Sequence, residues 1–292
     1  MKKKKTGFDL HQGHGNHLDS IMDGISFAEL VASLPDLLQK SEMIAATDGE
    51  IPCSLSEAHP EAMRFFLLKD SSESLHLTML ISINKPAGNN ELIAFFPEYD
   101  GVPVAVTLTK VLEWGNGVEA TLVGSFCEDK RAISFFDTRY AINKGKYVLG
   151  ETYNFRLAAL AFNSKVVQQR TFQFEGEDAI RQRERIGDEQ KYDQYGNPEP
   201  LVIDATSLIA LIHISDAYPH TAEFRSPVFG MATAKTFSGN FHVLDIGIAR
   251  TDDDEVVVVP LVAKQSFFPD ILQEGEPVQG VLWLQGYRQE LE

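Results

Sequence analysis

The sequence predicts a mainly β fold of the α+β class, in which two tandem small antiparallel β-barrel or sandwich units follow an N-terminal helical segment. Helical periodicity is concentrated in the first 70 residues, and from residue 75 onwards short apolar runs alternate with turn residues. Two later segments share one order of bends and strand-like runs, which indicates a repeated β-unit. The 292 residues are enough for about two or three domains of ordinary size.

The N-terminal region is predicted to hold a tail and then helices. Residues 1–20 combine a lysine run with few apolar side chains, so we expect them to be disordered. A helical segment is predicted over residues 21–70, and Ser26 and Glu29 have the spacing of a capping box at its first helix. Two further helices are predicted, one that begins at Pro35 and ends near residue 45, and one over residues 60–68.

Residues 71–174 are predicted to form the first β-barrel domain. Strand-like runs cover residues 75–83, 92–96 and 102–108. Asp100 and Gly101 form a dipeptide that is typical of a tight hairpin. Because these strands directly precede the first copy of the repeated unit, we expect them to complete its barrel.

The repeated unit is recognised by glycines at matching spacing. Gly115 and Gly150 are 35 positions apart in the first copy, and Gly239 and Gly275 are 36 positions apart in the second. Between these glycines, both copies place strand-like runs around a charged turn. Matching turns at matching spacing favour a tandem duplication. The second copy is predicted to form a second β-barrel domain over residues 222–292.

The segment between the two predicted barrels, residues 175–221, has a different composition. Charged residues of both signs are dense in its first half, where a marginal helix is predicted over residues 178–185 and Gly187 interrupts the pattern. Residues 195–200 have the composition of a loop. We therefore expect a charged linker, or an excursion from the second barrel.

Each predicted unit has four or five short strands, charged hairpin turns and a glycine at a corner. This pattern resembles a small barrel of the OB-fold type, and the resemblance covers residues 100–165 and 222–288. It is based on strand order and turn spacing, not on a diagnostic motif. Such barrels host many unrelated functions, so the resemblance implies an architecture and allows oligonucleotide binding as one role.

The net charge of −16 disfavours nucleic acid and anionic membranes as partners over most of the surface. No apolar run approaches the length of a membrane helix, and the lysines at residues 2–5 are not followed by the apolar stretch of an export signal. Cys53 and Cys127 are expected to be buried or half-buried thiols, because two distant cysteines do not make a disulfide framework or a metal cluster. These features favour a cytoplasmic location, and no cofactor is expected.

The weak metal candidates of this sequence are His11, His14 and His17. Imidazoles at this spacing can bind a transition metal. The surrounding segment is rich in glycine and has no flanking element that would fix their geometry. A solvated tail is therefore the favoured interpretation, and no metal site is predicted.

One constellation has the residue types of a catalytic site. His213, Ser215, Asp216 and His220 are close in sequence, and a hydroxyl beside an imidazole is the arrangement of an activated nucleophile. The strained turn motif of a nucleophile elbow is missing from this sequence. A half-buried structural role is favoured for His213, and no catalytic residue is assigned.

The first unit is mildly basic, with eight basic and six acidic side chains over residues 105–165. The cations proposed for a nucleic-acid surface are Lys130, Arg131, Arg139, Lys144 and Lys146. Seven aromatic residues occur between Trp114 and Tyr153 of this segment, and aromatic rings beside cations are what a single-stranded nucleic acid requires. Most aromatic residues of a β-unit belong to its core, so this interpretation is an alternative.

The favoured hypothesis is an acidic cytoplasmic interaction or scaffold protein that binds a protein partner through its β surfaces. Negative charge, the lack of a catalytic motif and a repeated unit that extends the surface support it. One alternative is an OB-like single-stranded nucleic-acid-binding protein that uses the first barrel. Another is an enzyme of unknown reaction with a site between the barrels. Under the favoured hypothesis the partner is basic and binding weakens with salt.

Overall fold

The structure is a computed structural model that describes residues 15–54, 62–71, 74–84, 89–126, 131–214, 219–236, 238–251 and 253–289. Strands hold 56% of the residues and helices 14%, which confirms the predicted mainly β class. Among the helices of this part of the chain, none combines the length and the apolar character that crossing a membrane requires.

Two helices precede the first strand, namely α1 at Gly15–Leu18 and α2 at Phe27–Lys40. The predicted capping box is present at α2, because the Ser26 hydroxyl accepts from the Glu29 amide and the Glu29 carboxylate accepts from the Ser26 amide. The prediction that Pro35 starts a second helix is wrong, since Pro35 lies inside α2. Burial of Leu30 and Leu34 stabilises the helix despite the hydrogen bond that a proline removes.

The first five strands form an antiparallel sheet, which is called the small sheet below. They are β1 at Glu42–Ala46, β2 at Ile51–Pro52, β3 at Ala62–Lys69, β4 at Leu75–Asn84 and β5 at Asn89–Tyr99. Their order is β1-β3-β4-β5, and β2 pairs with β3. The strands between residues 75 and 96 were expected in the first barrel, but their backbone hydrogen bonds join them to β3 and to each other.

The helix predicted over residues 60–68 is wrong, because β3 occupies this part of the chain. Met63, Phe65 and Leu67 are buried while their neighbours are half-buried, which is the period-two pattern of a strand. β3 pairs with β1 on one edge and with β4 on the other. Pairing on both edges makes this segment a strand although the spacing of its apolar residues also fits a helix. The predicted helical segment 21–70 is therefore helical only in its first half.

The remaining elements are, in chain order, β6 at Val102–Glu113, β7 at Ala120–Phe126, β8 at Arg131–Asp137, α3 at Tyr140–Asn143, β9 at Thr152–Val166, β10 at Thr171–Phe174, α4 at Gly176–Ile186, β11 at Leu201–Asp204, β12 at Ala210–His213, β13 at Thr221–Thr236, β14 at Gly239–Arg250, β15 at Val256–Lys264 and β16 at Pro277–Arg288. A short 3-10 turn follows β15. β10 and β11 pair with each other, and the other nine strands share one sheet.

The nine-stranded sheet closes on itself twice. In the first ring, β6, β7 and β8 form a meander, β8 lies parallel to β16, and β9 pairs with both β16 and β6. In the second ring, β13, β14 and β15 form a meander, β15 lies parallel to β9, and β16 pairs with both β9 and β13. The antiparallel pair of β9 and β16, called the central ribbon below, therefore belongs to both rings.

The two rings have the same strand order. Gly150 shortly precedes β9 and Gly275 shortly precedes β16, and both have positive φ angles, of 90° and 84°. The predicted domains 71–174 and 222–292 imply two separate barrels. The two rings are more closely joined than that, because each ring takes its fifth strand from the segment predicted to form the other barrel. Strands of 15 residues in β9 and 12 residues in β16 are long enough to pair within both rings.

Two of the apolar cores among the described residues meet at the central ribbon. The core shared by the two rings contains Phe155 and Leu157 of β9 together with Leu282 and Leu284 of β16. A second core joins the small sheet and α2 to the outer face of the rings, and Trp283 is fully buried in it. Side chains alternate between the faces of a strand, so one ribbon contributes to both cores.

Candidate functional site

The cations predicted for a nucleic-acid surface are spread over the first ring and its surroundings. Arg131, Arg139, Lys144 and Lys146 belong to the described residues, whereas Lys130 lies outside them. Arg131 is exposed at the start of β8, and Arg139 follows the end of this strand. Since a strand of seven residues is roughly 20 Å long, these two arginines do not lie side by side.

Arg139 is held in a polar network between the small sheet and the first ring. Its guanidinium lies 3.5 Å from the centroid of the Tyr287 ring, and its Nη2 atom lies 3.2 Å from Oε1 of Glu98. Glu98 is only 3% exposed, so water screens this ion pair weakly. The Tyr287 hydroxyl donates to Asp100 at 2.6 Å, and Arg156 Nε donates to the same carboxylate oxygen at 2.6 Å. These contacts give Arg139 a structural role.

Lys144 joins three segments of the chain. Its Nζ atom donates to the backbone carbonyls of Pro52 at 2.8 Å and Gly117 at 2.7 Å, and it lies 2.9 Å from Glu113 Oε2. Lys146 is more exposed and forms an ion pair with an aspartate. Internal contacts therefore engage Arg139 and Lys144, and this arrangement disfavours a continuous surface for a phosphate backbone.

Two buried histidines lie next to each other. The Nε2 atom of His220 is 3.1 Å from that of His17, and its Nδ1 atom is 2.9 Å from the Thr121 hydroxyl oxygen. The His17 ring stacks on Trp283 with 4.2 Å between the ring centroids. Burial lowers the pKa of His220 to about 3, so its ring is neutral at pH 7. A neutral imidazole that is closed off from solvent is suited to packing.

This pair contains one metal candidate, His17, and one member of the catalytic constellation, His220. His213 is exposed in β12, whereas His220 is buried. The candidates that lie outside the described residues are His11, His14, Ser215 and Asp216. Within the described part of the chain, no group of three or more histidine, cysteine or acidic side chains is placed to hold a metal ion.

Two buried carboxyl groups, those of Glu119 and Asp137, line a cavity beside the small sheet. Burial raises the pKa of each carboxyl to about 7. The Tyr147 hydroxyl donates to Asp137 Oδ2 at 2.6 Å, and the Asn116 side-chain amide donates to Glu119. Shifted pKa values are typical of active sites. A volume of about 10 Å³ has room for one water molecule at most, so this cavity does not admit a substrate.

Residues 171–204, between the two rings in sequence, form an ordered substructure that is called the arm below. β10 and β11 pair antiparallel at its two ends, and α4 and a long loop connect them. The helix predicted over residues 178–185 is confirmed and extends over Gly176–Ile186. The segment expected to be a charged linker or excursion therefore contains packed secondary structure.

The buried side chain of Arg183 connects α4 to the loop that follows. It is 4% exposed, and its Nη1 atom lies 3.0 Å from Asp188 Oδ2. Its Nη2 atom donates to the backbone carbonyls of Glu199 at 3.3 Å and Pro200 at 3.2 Å. Gly187 ends α4 with a φ angle of 73°, which a glycine adopts without strain. One guanidinium thus holds both ends of the loop to the helix.

Residues 192–198 within this loop are called the tyrosine loop below, and Asp193 organises them. One carboxylate oxygen of Asp193 accepts from the backbone amides of Tyr195 at 2.8 Å and Asn197 at 2.9 Å. The other oxygen accepts from the Asn197 side chain at 3.1 Å. These bonds, those from Asn197 foremost, lower the pKa of the Asp193 carboxyl. Gly196 supplies the positive φ angle of 83° that the turn contains.

The tyrosine loop presents two aromatic rings to solvent. Tyr195 is 80% exposed and Tyr192 is 52% exposed. Tyrosine is enriched at the centres of protein interfaces, where it supplies a large contact area. The arm carries nine acidic and four basic side chains, so both tyrosine side chains lie in a negative environment. Ring faces attract cations, and this arrangement is therefore suited to a basic partner.

Sequence reasoning recognised this loop but not its aromatic surface. The turn residues at 195–200 predict a loop, and the structure has a loop there. The exposure of Tyr192 and Tyr195 was missed, because aromatic residues are more often buried. The sequence signal that indicates this exposure is that both tyrosines have polar neighbours, with no apolar residue next to them to start a local core.

The comparisons with known proteins assign no family to this chain. It matches no protein-family model, no curated protein and no solved structure. The candidate functional site is therefore defined by geometry alone, that of the ordered acidic arm and its two exposed tyrosines.

Proposed function

We propose that this protein is an acidic interaction protein whose arm binds a basic segment of another protein. The observation that carries this proposal is the exposure of Tyr192, at 52%, and Tyr195, at 80%, on an ordered loop. A loop that is already held in shape loses little conformational entropy when it binds. Contact between the partner and the two tyrosine side chains therefore contributes efficiently to binding affinity.

The charge of the tyrosine loop and its flanks favours a basic partner. The acidic residues are Asp188, Glu189, Asp193 and Glu199, and the basic residue is Lys191. Lysine or arginine side chains of a partner can pair with these carboxylates and lie over the tyrosine rings. The same carboxylates repel a phosphate backbone, so we favour a protein over a nucleic acid.

The attachment of the arm supports a scaffold role. Arg225 of β13 donates to the backbone carbonyls of Gln169 at 3.1 Å and Ala205 at 3.0 Å. Its guanidinium carbon also lies 5.7 Å from the centroid of the Phe172 ring. These residues are at the two ends of the arm, so Arg225 connects both ends to the second ring. The base of the arm is therefore attached to the second ring.

The proposal is tested with a photo-crosslinking residue in place of Tyr195. The tagged protein is irradiated in a lysate of its native cells, with and without nuclease, and crosslinked proteins are identified by mass spectrometry. We expect one basic protein to be crosslinked with or without nuclease and its capture to weaken as the salt concentration rises.

The matched controls compare two sets of exposed side chains. In Tyr192→Ala/Tyr195→Ala we expect affinity for the identified partner to fall by about tenfold or more. Ile271→Ala should bind normally, because Ile271 is 90% exposed and lies outside the arm. Binding that survives the loss of both tyrosines, or crosslinking that disappears with nuclease, contradicts the proposal.

A further inference from the structure

The second half of β13 has one unpaired edge. Residues 221–227 of this strand pair with β16, whereas residues 228–236 pair with β14. Val228 is the last residue joined to the β16 side, where its amide donates to the Glu276 carbonyl at 3.0 Å. Within the described part of the chain, no strand pairs with residues 229–236 on the edge that faces away from β14. Such an edge is a template for a further strand.

The backbone groups of three residues point outwards from this edge. Thr236 and Gly239 are the last partners of the β13–β14 hairpin, and two residues lie between them. In a hairpin of this kind the last pair exchanges hydrogen bonds, and bonded and non-bonded pairs then alternate along the ladder. The N–H and C=O groups of Met231, Thr233 and Lys235 are therefore directed away from β14. All three residues are exposed.

One face of this edge borders an open groove of about 630 Å³. Met231 and Thr233 line the groove together with a segment after β15 that contains Asp270 and Ile271. Met231 is 42% exposed and Ile271 is 90% exposed, so apolar surface is accessible beside the edge. Burial lowers the pKa of His242 in the same lining, which keeps this ring neutral at pH 7. Asp270 therefore gives the groove a negative charge that suits a cation.

We propose that this edge pairs with the same edge of a second copy of the chain, antiparallel and with Thr233 on the two-fold axis. This register places Lys235 of one copy opposite Met231 of the other, on the face that borders the groove. The long side chain of Lys235 can then reach Asp270 across the interface, once in each direction. The two Thr233 side chains meet at the centre, and no like charges are opposed between residues 231 and 235.

The edge is therefore complementary to itself in backbone hydrogen bonds and in charge. Repulsion between two chains of net charge −16 opposes the association. At about 0.15 M salt the Debye length is roughly 8 Å, so charges outside the contact are largely screened. The contact is small, and small interfaces belong to weak complexes. We therefore expect a dimer that forms at micromolar or higher concentrations. This surface is distinct from the tyrosine loop and does not depend on the proposed protein partner.

Analytical ultracentrifugation of the full chain from about 1 to 300 µM, at about 0.15 M salt, measures the association. We expect the mass to rise from that of a monomer to that of a dimer. Lys235→Glu brings a carboxylate towards Asp270, so the dissociation constant should rise by about tenfold or more. Lys235→Glu/Asp270→Lys exchanges the two charges and should restore the dissociation constant to within about threefold. Lys110→Glu is the control, because it changes the net charge equally at an exposed position of β6 and should leave the dimer unchanged.

Disulfide crosslinking tests the register. Opposed residues of a bonded pair lie about 5.5 Å apart between Cα atoms, which a disulfide can bridge. A mixture of Met231→Cys and Lys235→Cys proteins should therefore form a disulfide-linked dimer under mild oxidation. Each variant alone places its two new cysteines roughly 14 Å apart along the strands and should not crosslink in this way. The unmodified protein measures the background from Cys53 and Cys127.

Three outcomes overturn the proposal. The first is a chain that stays monomeric over this concentration range, which would leave the edge for a strand of a different protein. The second is a dimer that Lys235→Glu does not weaken, or that the exchange of charges with Asp270 does not restore. The third is crosslinking of the single cysteine variants that is as fast as crosslinking of their mixture.

Discussion

At the scale of single residues, Asp193 holds the tyrosine loop in shape through hydrogen bonds to Tyr195 and Asn197. Asp193→Ala removes the acceptor, so we expect the amide protons of Tyr195 and Asn197 to exchange about five- to tenfold faster with solvent. Hydrogen exchange measured by NMR checks this, with amides of the central ribbon as the internal reference. Equal exchange in both proteins would mean that the loop keeps its shape without this carboxylate.

The buried carboxyl of Asp137 predicts an unusual pH dependence of stability. Burial raises its pKa from 3.8 to about 7, so between these values the folded protein holds a proton that the unfolded chain has lost. The contribution of Asp137 to the free energy of unfolding therefore falls as pH rises through this window and is constant above it. In Asp137→Asn, the loss of stability between pH 5 and pH 8 should be smaller, by up to roughly 3 kcal/mol, because about two pH units of this interval lie below the raised pKa.

Urea unfolding at pH 5 and pH 8 measures this difference. Asparagine keeps the shape of the side chain and one oxygen for the Arg139 amide, which donates to Asp137 Oδ1 at 2.9 Å. Asp193→Asn is the control, because hydrogen bonds lower the pKa of Asp193 from 3.8 and its titration lies below this pH range. The prediction is wrong if Asp137→Asn loses as much stability between pH 5 and pH 8 as the unmodified protein.

At the scale of elements, the arm depends on one buried guanidinium. Arg183→Ala removes the contacts to Asp188, Glu199 and Pro200 that hold the loop against α4. We expect trypsin to cleave after Lys191 at least about tenfold faster, since charge-assisted hydrogen bonds each stabilise by about 1.5–3 kcal/mol. The unfolding midpoint of the rings should change little.

The control for the arm is Arg181→Ala. Arg181 forms an exposed ion pair with Asp178 on the same helix, and such pairs contribute about 0–1 kcal/mol. Cleavage after Lys191 should therefore be nearly unchanged in this variant. If Arg181→Ala and Arg183→Ala are cleaved at the same rate, the loop is not held by the buried guanidinium.

Elements that are determined by residues near each other in sequence were predictable, and elements that are determined by contacts with distant residues were not. The start of α2 follows from the spacing of Ser26 and Glu29, and α4 follows from its charge pattern and Gly187. The strand β3 was mistaken for a helix, because its apolar residues fit both periods and only pairing with β1 and β4 decides between them. Exposure of Tyr195 also depends on tertiary packing.

At the scale of the whole molecule, both rings depend on the central ribbon. Gly280 of β16 faces β9 so closely that a Cβ atom would lie 2.1 Å from the backbone oxygen of Asn163. Gly280→Ala forces the two strands apart and should lower the free energy of unfolding by about 1–3 kcal/mol. Because the central ribbon completes both rings, we expect a single unfolding transition. In Gly280→Ala this transition should shift to lower temperature without splitting into two.

Differential scanning calorimetry measures this shift and the number of transitions. Gly49→Ala is the matched control, since a Cβ atom at Gly49 meets nothing within 4 Å and its backbone is not in the left-handed region. We expect its unfolding temperature to stay nearly constant. A Gly280→Ala protein with two separate transitions would show that the rings unfold independently.

The sequence by itself determined the mainly β class, the capped helix α2 and the matching glycines before β9 and β16, because each follows from residues that are near each other in the chain. Only the tertiary structure decided that each ring takes its fifth strand from the other segment. It also decided that Arg139 and Lys144 are held by internal contacts while Tyr192 and Tyr195 face solvent. Strand partners and burial arise from contacts between residues far apart in sequence, which local patterns do not encode.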